Sequence, residues 1–262
     1  MKKKNQPAPY NLLARYYDDI QEDAAQMNQR ARWNILGRAL SHPQSMCDLG
    51  CGSGETALYF ARKGVQVYAV DLSPTFCRIV RAKAREEGLP IRVLRADMRN
   101  FRLPQPVELI TCEFAVLNHL PRPASLRQTL RSVWKALEPD GRFLFDINTC
   151  SSLREQYTRT HWIETLKLKL VFHGEWFPEH HQAVLDFEWF LPAGKLWRHA
   201  HERVENVCWT EKEIRAALRA TSFSSIKVWD GVDVRPFHPA ARRGYDRYFL
   251  ARKPLRKNSR RR

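Results

Sequence analysis

The sequence lacks any apolar run near the roughly 20 residues that a membrane-crossing helix needs. No apolar signal segment follows Met1, Lys2, Lys3 and Lys4, so secretion is not expected. No CxxC pair occurs among its six cysteines, Cys47, Cys51, Cys77, Cys112, Cys150 and Cys208. That scatter suits neither a zinc knuckle nor a small disulfide framework, and reduced thiols in a cytoplasmic protein are the expectation. There is no HExxH pattern either. His199 and His201 share one face if they lie on a strand, whereas adjacent His180 and His181 point oppositely. Without a cysteine or HExxH partner, no metal is expected at them. Acidic residues are few, 28 against 44 lysines and arginines, which leaves a net charge of +16.

Such a charge invites a nucleic-acid partner, but its distribution weakens the idea. Three of the positive charges lie at Lys2–Lys4 and six between Lys253 and Arg262, so the rest of the chain carries +7. Segments 1–9 and 253–262 read as basic tails, solvated arms that would bind an anionic partner such as RNA without sequence preference.

What is present is a core. A chain of 262 residues with 44% hydrophobic residues can fill one α/β domain with an insertion. Residues 10–44 read as helical: Leu12, Leu13, Tyr16, Tyr17 and Ile20 fall at helical spacing, and Trp33, Ile35, Leu36 and Leu40 form a second stretch ending near Pro43. Over 45–150, apolar strands at 45–49, 65–70, 91–95, 107–112 and 142–147 alternate with helices at 54–63, 75–87 and 124–137. Gly64 and Gly88 stand at helix C-caps, and Asp140 and Gly141 form a turn before the last of these strands. Alternation of this kind predicts a doubly wound parallel sheet with helices on both faces. Residues 151–208 change character and predict several antiparallel strands, with a hairpin turn at Pro192, Ala193 and Gly194. Segment 209–252 returns to the core. It has a helix at 210–221 that opens with a Thr210–Glu213 capping box, then strands near 225–230 and 245–251 separated by a loop at 232–244.

The most specific feature runs from Asp48 to Glu55, Asp-Leu-Gly-Cys-Gly-Ser-Gly-Glu, between a strand and a helix. Glycine lets a ligand lie on the backbone, and the helix N-terminus adds free N–H groups. The spacing Gly50, Gly52, Gly54 differs by one residue from a dinucleotide fingerprint. Asp48 before the glycines would repel a phosphate but accept from an ammonium group. Asp71 ends the second strand, where a carboxylate accepts ribose hydroxyls. Asp97 follows the third strand, placed to accept from an exocyclic amine while Met98 packs on a purine. The ligand is then a purine riboside with a cationic amino-acid end and no pyrophosphate, a description that S-adenosylmethionine meets.

On these residues the chain resembles the class I S-adenosylmethionine-dependent methyltransferases, over roughly residues 10–150 and the closing strands. The resemblance extends to Glu108–Leu120 as a fourth-strand motif and to Glu138–Gly141 as the turn before strand five. It implies a Rossmann-like, seven-stranded, mostly parallel sheet with an antiparallel insertion after strand five. It also implies a cofactor site of Tyr17, Asp48, Gly50, Cys51, Gly52, Gly54, Asp71, Leu72, Asp97, Met98, Glu113 and Phe114. The N-terminal helix with Tyr10, Tyr16 and Tyr17 is similar to the lid of small-molecule N-methyltransferases, and the Trp-rich insertion to their acceptor roof. Methyl transfer is an in-line displacement that needs alignment more than acid–base help. Tyr17 and His119 are the catalytic candidates, and Tyr16, Asn118 and His119 the acceptor-binding ones. A small-molecule acceptor is the expectation. An RNA acceptor held by the basic tails is the alternative, weakened because neither an Asn/Asp-Pro-Pro-Tyr-type motif nor a Pro-Cys nucleophile follows strand four. A non-catalytic, cofactor-binding regulatory subunit is the third reading.

Overall fold

In the computed structural model, which describes residues 11–20, 37, 42–234 and 243–255, the predicted apolar strands pair side by side. They are β1 (Ser45–Leu49), β2 (Gln66–Asp71), β3 (Arg92–Arg95), β4 (Val107–Cys112) and β5 (Leu137–Asn148). All five are parallel, and β10 (Ser224–Asp230) and β11 (Asp246–Arg252) complete the sheet in the order β10-β11-β5-β4-β1-β2-β3. Only β11 runs against its neighbours. Strand β1 is buried almost throughout because helices cover both faces of the sheet.

The crossover helices follow from local signals. Helix α2 (Glu55–Ala61) starts at the glycine turn. Helix α3 (Pro74–Glu86) starts with Ser73 as N-cap and Pro74 at its first position, the residue types those places favour. Its buried Phe76, Cys77, Val80 and Ala84 recur at helical spacing, each larger side chain contributing roughly 2 kcal/mol by burial. Helix α4 (Pro123–Ala136) buries Leu126, Leu130 and Val133 in the same way. The Thr210–Glu213 capping box is formed at the start of α6 (Glu211–Ala220), which follows α5 (Cys150–Gln156), a helix the sequence pattern does not mark.

Residues after α5 build a separate four-stranded antiparallel sheet, β6 (His161–Glu164), β7 (Lys169–Phe177), β8 (Gln182–Ala193) and β9 (Leu196–Val207). Its own core is Leu168, Leu170, Leu185, Phe187, Trp189, Leu191 and Val204. Helix α1 (Asn11–Ile20) lays Leu12, Leu13, Tyr16 and Ile20 on this core.

Several expectations are corrected. Pro192 and Ala193 belong to β8, opposite Trp197 and Leu196, so the hairpin turn is Gly194–Lys195, with Gly194 at φ +65°. His180 and His181 lie in the β7–β8 connection rather than on a strand, with His181 in the left-handed region. Asp140 and Gly141 sit inside β5 at a register shift, and Asp140 takes φ +71°. The 232–244 loop opens with a short helix, α7 (Gly231–Val234). The second N-terminal helical stretch, Tyr10 and most of both tails fall outside the described residues.

The cysteines are also corrected. Cys150 and Cys208, 58 residues apart, form a disulfide with Cα atoms 5.1 Å apart. It joins the two ends of the chain segment that makes the second sheet. The free thiols are Cys47, Cys51, Cys77 and Cys112, all buried. Closing a loop of this length restricts the unfolded chain, so Cys208→Ser is expected to cost about 4 kcal/mol. Urea unfolding reads this as a lower midpoint, and an unchanged midpoint would show that the bridge adds nothing.

Candidate active site

The glycine turn lies at the carboxyl edge of β1, and β2 holds it: Gly50 and Cys51 both donate to the Val70 carbonyl, at 2.7 and 3.1 Å. Its three glycines do different work. A Cβ on Gly50 would stand 2.6 Å from Val116, and one on Gly54 2.8 Å from Val80. These two let neighbouring elements close in. A Cβ on Gly52 would meet nothing within 4 Å, although its φ is +52°. Open space over bare backbone is where a ligand can approach.

Asp71 closes this cradle. Its Oδ2 accepts from Gly52 N at 3.0 Å and its Oδ1 from Ser73 N at 2.7 Å. Each oxygen keeps acceptor capacity for a further donor. Burial pushes the Asp71 carboxyl above its usual range, against the opposing effect of the backbone donors. Beside it, Leu72 is 58% exposed, and across the edge Phe114 is 42% exposed. A half-buried carboxylate, a bare backbone and two exposed apolar side chains suit a ribose carrying a flat base, and S-adenosylmethionine fits that set.

Phe114 and Ala115 are held at φ 66° and 56°. Two successive non-glycine residues there cost about 1–3 kcal/mol each. The conformation is fastened by Ala115 N, which donates to the buried Asp146 at 3.1 Å, a residue the sequence reading did not single out. Such strain at a strand end is a recurrent mark of a ligand site.

Asp48 and Cys51 face inward instead. Asp48 is 4% exposed, and its oxygens accept from Ala57 N and Thr111 Oγ1, both at 3.1 Å. It ties α2 and β4 to the turn. The Cys51 side chain packs in the core, and burial raises its thiol pKa well above the ordinary value. Glu113 is buried and accepts from Thr56 in α2 at 3.2 Å. Met98 packs against the main core, and Asp97 is clasped by Arg99, which holds its carboxyl below the usual range.

Helix α1 spans from the core to the second sheet. Tyr17 meets Phe76 of α3 edge-on, with ring centres 5.6 Å apart, and Asp18 pairs with Lys83 of α3 at 2.6 Å. Tyr16 lies 6.0 Å from Trp189 of β8, and Asp19 pairs with Lys167 at 2.6 Å. The first turn of α1 is capped from far along the chain. Glu202 of β9, 8% exposed, accepts from Leu12 N at 2.7 Å and Leu13 N at 2.9 Å. A carboxylate at a helix N-terminus satisfies orphan N–H groups and meets the positive end of the dipole.

Asn118 is not open to an acceptor, which corrects its assignment. It is wholly buried, donating to the carbonyls of Asn148 and Val207 and accepting from Asn148 N. His119, half-buried, has Nδ1 3.2 Å from the Glu205 carbonyl, and burial pushes its pKa down. His199 and His201 pair with Glu188 and Asp186 at 2.5 and 2.9 Å. Among the described residues no group of three His, Cys, Asp or Glu side chains could hold a metal.

A methyltransferase-domain family pattern matches residues 46–141. The protein YqeM of Bacillus subtilis (strain 168), described as a methyltransferase, is 24% identical over 87% of this chain and 92% of its own. Other curated relatives are matched over less, and the chain spans only 58% and 46% of the length of two of them. Among solved structures, an S-adenosylmethionine-dependent methyltransferase from Clostridium acetobutylicum superposes with a TM-score of 0.76. It is 20% identical, over 94% of this chain and 99% of that one. CalS10, an amino pentose methyltransferase from Micromonospora echinaspora solved with S-adenosylmethionine bound, gives 0.72 at 17% identity, over 95% and 100%. No helix among the described residues is long and apolar enough to cross a membrane. Residues 46–141 thus match a methyltransferase domain, and the sheet order and glycine turn are those of the fold that S-adenosylmethionine-dependent methyltransferases share.

Proposed function

We propose that the protein methylates a nucleophilic atom of a small molecule held between the 3₁₀ turn Val116–His119, helix α1 and the second sheet. The observation that carries this reading is the double anchoring of α1. It is bound to the core through Lys83 and Phe76 and to the second sheet through Glu202, Lys167 and Trp189. We read a helix fastened on both sides as the cover of the carboxyl edge of the parallel sheet, where ligands of such sheets bind. A covered edge suits a metabolite, whereas a polymer needs an open groove. The amino pentose that gives CalS10 its description is an acceptor of that size.

Bound S-adenosylmethionine supplies a methyl group on a cationic sulfur, already activated for displacement. The residues then have to hold, align and exclude water. In our reading Asp71 accepts the ribose hydroxyls, Gly52 presents bare backbone, and Leu72, Met98 and Phe114 flank the base. Asp97 accepts from the exocyclic amine of the base. Tyr17 covers the cofactor from α1, where an aromatic face is attracted to a cation. Where the acceptor carries a proton, His119 is the base. Its Nδ1 donates to the Glu205 carbonyl, so Nε2 is the basic nitrogen, and its lowered pKa keeps the ring neutral at pH 7.

The test is transfer of radiolabelled methyl to a metabolite extract and, separately, to total RNA. Label is expected in the metabolite fraction. Label confined to RNA would overturn the small-molecule reading. Cofactor binding with no transfer to either would favour a regulatory subunit.

A further inference from the structure

Away from the carboxyl edge, the loop from β3 to β4 and the outer face of α4 enclose a cavity of about 480 Å³. Its wall carries four cationic side chains, Arg99 and Arg102 from the loop and Arg131 and Lys135 from α4, and no carboxylate. Gln128 adds a neutral donor. Among the described residues, Arg102, Arg131 and Lys135 have no ion-pair partner. The loop is fixed to the helix by Ser132 Oγ, which donates to the Arg99 carbonyl at 2.8 Å. Like charges gathered around one cavity repel each other, and an anion with several oxygens relieves that repulsion.

Arg99 belongs to two places at once. It lines this cavity, and it grips Asp97 with Nε at 2.9 Å, Nη2 at 2.5 Å and its backbone N–H at 2.9 Å. Both carboxylate oxygens of Asp97 are thus engaged by a single residue. Guanidinium groups bind phosphate oxygens in the same forked manner as carboxylates. The Nε–Nη2 fork is spent on Asp97, so a phosphate that takes that fork displaces the carboxylate.

We propose that this cavity binds a small oligophosphate-bearing molecule, and that the ligand draws Arg99 off Asp97, freeing Asp97 for the adenine amine. The coupling rests on the reading of Asp97 given above, while anion binding does not. The volume exceeds that of a single phosphate and falls within the range of small-molecule sites. Since coupling between two sites is reciprocal, the oligophosphate tightens S-adenosylmethionine binding and the cofactor tightens oligophosphate binding.

The experiment is calorimetry on the full chain with tripolyphosphate as probe. Saturable binding is expected, weakened at least tenfold in the Arg131→Gln/Lys135→Gln double variant. These side chains are exposed, and the variant should bind S-adenosylmethionine normally when no anion is present. Saturating tripolyphosphate is expected to tighten cofactor binding in the parent about fivefold or more. Arg99→Gln should bind cofactor as tightly as the anion-saturated parent and show no response to the anion. Equal tripolyphosphate affinity in parent and double variant would place the anion on the basic termini and overturn the site. Pocket-dependent binding of a short RNA without binding of tripolyphosphate would overturn the small-ligand assignment. Unchanged cofactor affinity in the presence of bound tripolyphosphate would overturn the coupling. At saturating tripolyphosphate, Asp97→Asn with parental cofactor affinity would instead remove the reading of Asp97 and leave the anion site standing.

Discussion

Asp71→Ala is expected to weaken S-adenosylmethionine binding by roughly 100-fold or more, the largest effect of any single substitution in the cofactor cradle. Hydrogen bonds to a charged acceptor contribute about 1.5–3 kcal/mol each, and the carboxylate has room for one further donor on each oxygen. A smaller part of the loss comes through the turn, because Gly52 N and Ser73 N lose their acceptor. Asp71→Asn separates the two contributions. It keeps an acceptor for one backbone donor and removes the charge, so an intermediate loss is expected. The pH dependence gives an independent readout. Burial raises the Asp71 pKa in the free protein, and the ionised form is the one that accepts hydroxyls. Cofactor affinity should therefore be full above that raised pKa and fall as pH drops through it, beginning above the ordinary carboxylate range near 4. In Asp71→Asn that limb should be flat. Calorimetry across this range decides the matter, and parental affinity in Asp71→Ala would remove the ribose assignment.

The parallel core is legible in the sequence because each of its strands is a short apolar run, and each crossover helix repeats its apolar residues at helical spacing. Strand β1 at 45–49 and α3 around Phe76, Val80 and Ala84 need nothing beyond local pattern. The glycine turn and Asp71 are legible for a similar reason, since strand ends and glycines fix their positions along the chain. What escapes is whatever depends on partners far apart in sequence. Asn118 looks like an acceptor-binding residue at a strand edge until its bonds to Asn148 and Val207, 30 and 89 residues away, are seen. Glu202 has no local signal as a cap for a helix that begins 190 residues earlier. Cys150 and Cys208 carry no spacing that betrays their bridge. The Asp97–Arg99 clasp is the exception, being only two residues apart, and an arginine so close to the proposed adenine-side carboxylate is a signal the sequence does contain.

Asn118→Ala is expected to damage stability far more than acceptor recognition, with a loss of about 4 kcal/mol. The side chain makes three hydrogen bonds in a fully buried position. Its removal leaves the Asn148 N–H and the Asn148 and Val207 carbonyls without these partners. An unsatisfied buried polar group costs about 1–3 kcal/mol, and three of them reach this total even with some relaxation. For a chain of this size the melting temperature should fall by roughly 10 °C. The bonds fasten the 3₁₀ turn at Val116–His119 to the end of β5 and the end of β9, the two places where the chain leaves the core for the second sheet and returns. Loosening that junction releases the second sheet before the parallel core, so hydrogen exchange should quicken in β9 ahead of β1 and β4. A residue that bound the acceptor would behave otherwise: KM for the acceptor would rise while the melting temperature held. Asn118→Asp, close to Asn in shape, supplies the control. It can still accept from Asn148 N but cannot donate to the two carbonyls, and the buried charge it brings makes it at least as damaging as alanine. Parental stability in both variants would return Asn118 to the acceptor site.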